Sequence, residues 1–185
     1  MSKLQVDQLS KTSAGADTFV LPAADGTVGQ LMKTDGSGNL GFVSSAVGGK
    51  ILQVLEDNLN TAVNTSSTSY VASGLTVTIT PASTASKFLL LLAGGEWGLN
   101  AYEMATTFYV DTGSGAAEVA ETGPYEITIE PAYNYPRKPH SAMCLHSPST
   151  TSATTYTVYY KTTGGTGDFN VASSRVVFTV MELSS

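Results

Sequence analysis

From residue 50 onward the chain is a succession of short runs rich in Val, Ile, Thr, Tyr and Phe, each stopped by Gly, Pro, Ser or Asn. Several alternate apolar and polar residues cleanly, as in Leu75-Thr-Val-Thr-Ile79 and Tyr156-Thr-Val-Tyr-Tyr160. A period of two puts successive side chains on opposite faces of a strand. The runs predict strands at 50–55, 69–72, 75–80, 88–93, 107–110, 117–120, 125–129, 142–146, 154–160 and 175–183. Helical periodicity is confined to a weak patch over 55–63. Short strands at this spacing predict an all-β protein with a jelly-roll-like β-sandwich body over 48–185.

Residues 1–47 read differently. Their apolar residues are scattered among Ser, Thr, Gly and Asp, too sparsely to build a core. The run 18–21 is strand-like and stops at Pro22, which has no N–H to donate to a ladder. Two further runs, 30–34 and 40–43, flank Asp35-Gly-Ser-Gly-Asn39, whose residues tolerate positive φ, so a β-hairpin is expected there. This segment is expected to be an extended attachment element held by strand pairing and small apolar anchors. The candidate anchors are Leu4, Val6, Leu9, Phe19, Val20 and Leu21. The Ser/Gly-rich residues 44–49 join it to the body.

Two runs in the body break the alternation: 88–92 (FLLLL) and 176–181 (VVFTVM) are apolar on both faces. A lone two-layer sandwich should leave one face of each strand wet. Covering both faces requires a further layer of protein, and a subunit interface in a closed homo-oligomer supplies one. Only 13% of residues are charged, low for a soluble domain and suited to a chain that buries much of its surface against copies.

The net charge of −6 falls on the residues after Lys50: acids and bases balance up to that point, and every charge from Glu96 to Glu130 is acidic. Such a field repels phosphate, which argues against nucleic-acid binding. A single cysteine, Cys144, excludes an intrachain disulfide. The longest apolar run is too short to cross a membrane, and the polar N-terminus lacks a signal-peptide pattern.

Few residues fall into a pattern that carries chemistry. Cys144 and His146 share one face of a strand and lie near His140, so a metal bridged between copies at a symmetry axis is conceivable; a buried Cys beside a half-exposed His is the plainer reading. Ser141 and Asp111 lack a nucleophile elbow. Glu126 and Glu130, beside tyrosines, resemble a glycosidase pair in type, but Glu126-Ile-Thr-Ile-Glu130 reads as a strand with outward acids. The Pro- and Tyr-rich stretch 130–140 is expected to be a rigid exposed loop, with Tyr133, Tyr135, Arg137 and Lys138 as candidate surface-recognition residues. The chain is expected to be non-enzymatic and to need no cofactor or metal.

Segments 21–30 (LPAADGTVGQ) and 33–40 (KTDGSGNL), with the opening 4–9 (LQVDQL), resemble short tail fibre proteins of marine and cyanobacterial phages. So do 50–54 (KILQV), 66–70 (SSTSY), 74–81 (GLTVTITP) and 86–90 (SKFLL). The resemblance implies a homotrimeric virion structural protein, assembled in the host cytoplasm and partnered by other virion proteins. On the leading reading it is a tail-associated fibre or spike subunit that contacts a host surface glycan or protein. The short segment ahead of the body departs from the long shaft of such fibres and leaves room for a capsid decoration (cement) protein at threefold sites. A glycan-degrading spike is the third reading, disfavoured by the absence of a long internal repeat.

Overall fold

The computed structural model describes residues 6–10, 18–44, 50–99, 103–119, 125–127, 137–171 and 174–184, and no α-helix occurs among them. The chain divides into two compact units, Met1–Val47 and Gly48–Ser185.

In the first unit, β1 (Gln8–Ser10) pairs antiparallel with β2 (Thr18–Val20), and β3 (Gln30–Thr34) with β4 (Leu40–Ser44). A parallel bridge joins Val20 to Asn39, and the Val20 N–H donates to the Gly38 carbonyl at 2.8 Å. The expected hairpin is present. Its turn is held by Asp35, whose Oδ1 accepts from the N–H groups of Ser37 (2.7 Å) and Asn39 (3.1 Å). Gly38 has φ of +91°, and a Cβ there would lie 2.7 Å from the Thr18 carbonyl oxygen. Only glycine satisfies both demands.

The second unit is built from β5 (Ile51–Leu59), β6 (Val63–Thr65), β7 (Val71–Ile79), β8 (Lys87–Leu99), β9 (Met104–Asp111), β10 (Ala117–Glu118), β11 (Tyr125–Ile127), β12 (Arg137–His146), β13 (Thr154–Thr162), β14 (Gly167–Phe169) and β15 (Val176–Leu183). One sheet runs β10-β9-β13-β7, with β11 also on β9. The other runs β5-β15-β8-β14-β6, with β12 on β8. All pairs are antiparallel. The orders β5-β15-β8-β12 and β7-β13-β9-β11, with the chain crossing between sheets at most connections, are those of a jelly roll.

The weak helical patch at 55–63 forms no helix: it is strand up to Leu59 in β5 and again from Val63 in β6. β5 extends to Leu59, which sits opposite Val176, and the ladder with β15 overrides the local pattern. β8 runs well past the expected 88–93, through Gly94 and Gly95 at φ of +86° and +73°.

The inner faces meet in one core. Leu75, Val77 and Ile79 of β7 and Tyr156, Val158 and Tyr160 of β13 are buried with Phe88, Leu90 and Leu92 of β8 and Val176, Phe178 and Val180 of β15. Phe108 and Phe178 stack across the layers, their ring centroids 5.6 Å apart. Each such side chain stabilises the fold by roughly 1.5–3 kcal/mol before chain entropy is subtracted. Where β5 passes β7, its side chains cap the neighbouring edge. Asp57 Oδ2 accepts from the Thr76 N–H at 2.9 Å, and Gln53 Nε2 donates to the Thr80 carbonyl at 2.9 Å. Those backbone groups are thereby closed to strand addition.

Candidate functional site

The alternation that fills the core also writes the two outer faces, and they differ in chemistry. On the β5-β15-β8-β12 sheet, register aligns Met143, Leu91, Thr179 and Glu56 in one row and Leu145, Leu89, Met181 and Val54 in the next. Met143 (57% exposed), Leu145 (46%) and Val54 (50%) face solvent, and Leu89, Leu91 and Met181 are half-buried. The two runs read as apolar on both faces are therefore adjacent strands, and their outward residues form one aliphatic surface with those of β12 and β5.

The other sheet turns threonines and tyrosines outward. The hydroxyls of Thr76 and Thr157 lie 3.1 Å apart and those of Thr78 and Thr155 2.9 Å apart. Tyr109 of β9 and Tyr159 of β13 stack with centroids 4.0 Å apart and planes 23° apart. The Tyr70 ring lies 6.3 Å from that of Tyr109, and Lys161 Nζ sits 4.6 Å from the Tyr70 centroid. Glu118 is opposite Tyr109 in the ladder, and the Thr107 hydroxyl donates to its Oε1 at 2.8 Å. Burial first, then the Glu118 charge and Tyr159, pushes the Tyr109 phenol pKa upward.

Between the sheets, two histidines of β12 reach across the core. His140 Nε2 is 2.9 Å from Thr106 Oγ1, and His146 Nδ1 is 2.9 Å from the Tyr156 hydroxyl. His140 and Cys144 are buried and His146 is 9% exposed, all inward-facing. Cys144 and His146 do share a face, but it is the interior of their own sandwich, away from any surface where a symmetry axis could collect copies. Among the described residues no group of three or more His, Cys, Asp or Glu side chains is placed to hold a metal ion.

Of the candidate attachment residues, Val6, Leu9, Phe19 and Val20 are 40–50% exposed and Leu21 is half-buried. Leu9 and Phe19 face each other across the β1–β2 pair. Leu4 lies outside the described residues. The same unit also exposes Val28, Leu31, Met32 and Val43, which the sequence reading left out. The hairpin alternation carried that signal for Leu31 and Val43, which are cross-strand partners.

Of the recognition residues, Arg137 and Lys138 belong to β12, opposite Gly98 and Trp97, and not to a loop. Pairing continues through Pro139, with an irregularity before Ser141. A proline is tolerated there because β12, among the described residues, pairs with β8 alone. Tyr133 and Tyr135 lie outside the described residues, as does Glu130. Glu126 is on β11, opposite Ala105.

No family model matches the chain, and no curated protein matches it. Among solved structures it is similar to the chain of infectious bursal virus derived T=1 particles, at 10% identity and a TM-score of 0.34, over 79% of this chain and 38% of that one. It is similar to the infectious bursal disease virus Gt strain structure at 9% identity and a TM-score of 0.34, over 95% and 46%. The infectious bursal disease virus VP2 subviral particle matches at 7% identity and a TM-score of 0.33, over 95% and 46%. The chain spans less than half the length of each, and likeness at this level carries no functional argument.

Proposed function

We propose that the chain is a non-enzymatic structural subunit of a virus particle, assembled as a homotrimer through the outer face of its β5-β15-β8-β12 sheet. The observation that carries this reading is the contrast between the two outer faces. One is aliphatic, centred on Leu89, Leu91, Met143, Leu145 and Met181, while the other is hydroxyl-rich. Contiguous exposed apolar surface on one side of a sandwich marks a face that is covered in use. The trimer, and the placement in a phage tail as a fibre or spike that contacts the host, follow the resemblance of the sequence to short tail fibre proteins.

The N-terminal unit attaches the subunit to the particle. Its exposed Leu9, Phe19 and Val20, in a unit of only −1 net charge, suit docking by apolar contact and strand pairing. Three copies in one trimer add avidity. A second reading is a capsid decoration protein at threefold sites. Copy number per particle separates the two, being far below that of the coat protein for a tail subunit and comparable with it for a decoration protein.

Sedimentation velocity of the full chain tests the assembly. A trimer is expected, and Met143→Glu with Leu145→Glu should convert it to monomer. A wild-type chain that sediments as a monomer at micromolar concentration would end the proposal.

A further inference from the structure

If the aliphatic face is covered in the particle, the face left outward is the one carrying Tyr109, Tyr159, Tyr70 and Glu118. We propose that this face binds a neutral saccharide, N-acetylated or not, the pyranose resting on the Tyr109–Tyr159 pair and its hydroxyls bonding to Glu118 and adjacent threonines.

The chemistry narrows the ligand. A pyranose presents C–H groups on one face and hydroxyls around its rim, so it needs aromatic surface flanked by hydrogen-bonding groups. Here Tyr109 and Tyr159 are stacked and both half-buried. They are flanked by the Glu118 carboxylate on one side and the Thr157–Thr76 hydroxyl pair on the other. Register makes this one continuous row: Glu118 is opposite Tyr109, Tyr109 opposite Thr157, and Thr157 opposite Thr76.

The charge balance chooses among sugars. Glu118 and Asp111 are acidic, and the cation of this face among the described residues, Lys161, is set against the Tyr70 ring. An acidic sugar or a phosphate would meet net repulsion. A peptide strand would seek an unpaired sheet edge, whereas Tyr109 and Tyr159 lie on strands paired along both sides. An acyl chain would prefer the aliphatic sheet.

That this face points outward rests on the assembly proposed above, but binding is measurable on the full chain in solution. Saturation-transfer NMR with methyl β-galactopyranoside, methyl β-glucopyranoside and N-acetylglucosamine, and with N-acetylneuraminic acid as the acidic control, tests it. Transfer to the ring C–H protons of at least one neutral probe is expected, with none to the acidic control. Silence from all three neutral probes, or preference for the acidic one, overturns the proposal.

Tyr159→Val keeps strand propensity and removes the ring, so it should weaken binding by at least roughly tenfold. Unchanged binding overturns the assignment. Should the variant fail to fold, ring-labelled tyrosine in the wild-type protein replaces it. The saccharide must then shift the Tyr109 and Tyr159 resonances, and shifts confined to other tyrosines count against the site. A trimer that binds no saccharide defeats this proposal alone, and a monomer that binds one defeats only the assembly.

Discussion

His146 Nδ1 on β12 and the Tyr156 hydroxyl on β13 lie 2.9 Å apart, a polar contact that crosses from one sheet to the other inside the core. Tyr156 is fully buried, and its ring also packs against Phe88 at a centroid distance of 5.8 Å. Tyr156→Phe keeps the packing and deletes the contact, leaving Nδ1 without this partner. The expected cost is about 1–3 kcal/mol, read as a lowered urea midpoint with unchanged slope.

His140 makes stability depend on pH. It is 4% exposed, with its ring centroid 4.0 Å from that of Trp97, and its Nδ1 is buried without a hydrogen-bond partner among the described residues. Burial pushes its pKa from 6.5 down to about 4. Between those values the unfolded chain binds a proton that the folded chain refuses. Stability fully present above the unfolded value is therefore lost as pH falls toward 4, by up to about 3 kcal/mol. His140→Gln should flatten the curve in that window, measured by urea unfolding at a series of pH values.

Glu182 behaves in the opposite sense to an ordinary buried acid. It is fully enclosed, with Oε1 accepting from the Ala82 N–H at 2.7 Å and Oε2 from Gln53 Nε2. Burial raises its pKa, but polar contacts with Ser86, Gln53 and Ala82 outweigh that and hold it below 4.5. Its contribution is present above the ordinary carboxylate range and is lost as pH falls through the lowered folded value. Glu182→Gln sets an amide NH2 against the Gln53 NH2 or the Ala82 N–H, donor against donor. The expected loss at neutral pH is about 1–3 kcal/mol, with less further loss on acidification than in the wild type.

Two glycines of the second unit should respond differently to alanine. Gly74 has φ of +95° with open space where a Cβ would go, so Gly74→Ala costs about 1–2 kcal/mol of backbone strain. At Gly94, φ is +86° and a Cβ would lie 2.5 Å from the Arg175 carbonyl oxygen, so strain and a backbone clash combine. Gly94→Ala should have the lower melting temperature of the two.

The attachment reading is tested by Leu9→Asp combined with Phe19→Asp. These residues are cross-strand neighbours, 50% and 40% exposed, in a unit distinct from the sandwich. The variant should sediment as the wild type does and fail to join particles lacking the native subunit. Normal incorporation would place the attachment surface elsewhere.

Much of this architecture is legible in local pattern. The period of two in Leu75–Ile79 and Tyr156–Tyr160 already separates inward from outward residues. In the latter run it sets Tyr159 apart from Tyr156 and Tyr160 before any partner is known. The Asp35–Asn39 turn identifies its hairpin because both strands and the residues that reverse the chain lie within a few positions of one another. Where neighbouring signals are ambiguous the local pattern misleads: β5 continues past the expected 50–55 into the weak helical patch, and Arg137 and Lys138, expected in a loop, are paired in β12.

What only tertiary structure decided is which strands lie side by side. Parity along a strand is a property of the backbone itself, so sequence alone reveals that 88–92 and 176–181 carry apolar residues on both sides. That β8 and β15 are neighbours, merging Leu89, Leu91 and Met181 with Met143 and Leu145 into one face, depends on pairing between segments far apart in the chain. The same holds for Tyr109 against Tyr159, and for His140 and His146 turning inward to the opposite sheet. Strand order and register are chosen by the summed burial and hydrogen bonding of the whole sandwich, and no local run of residues encodes that sum.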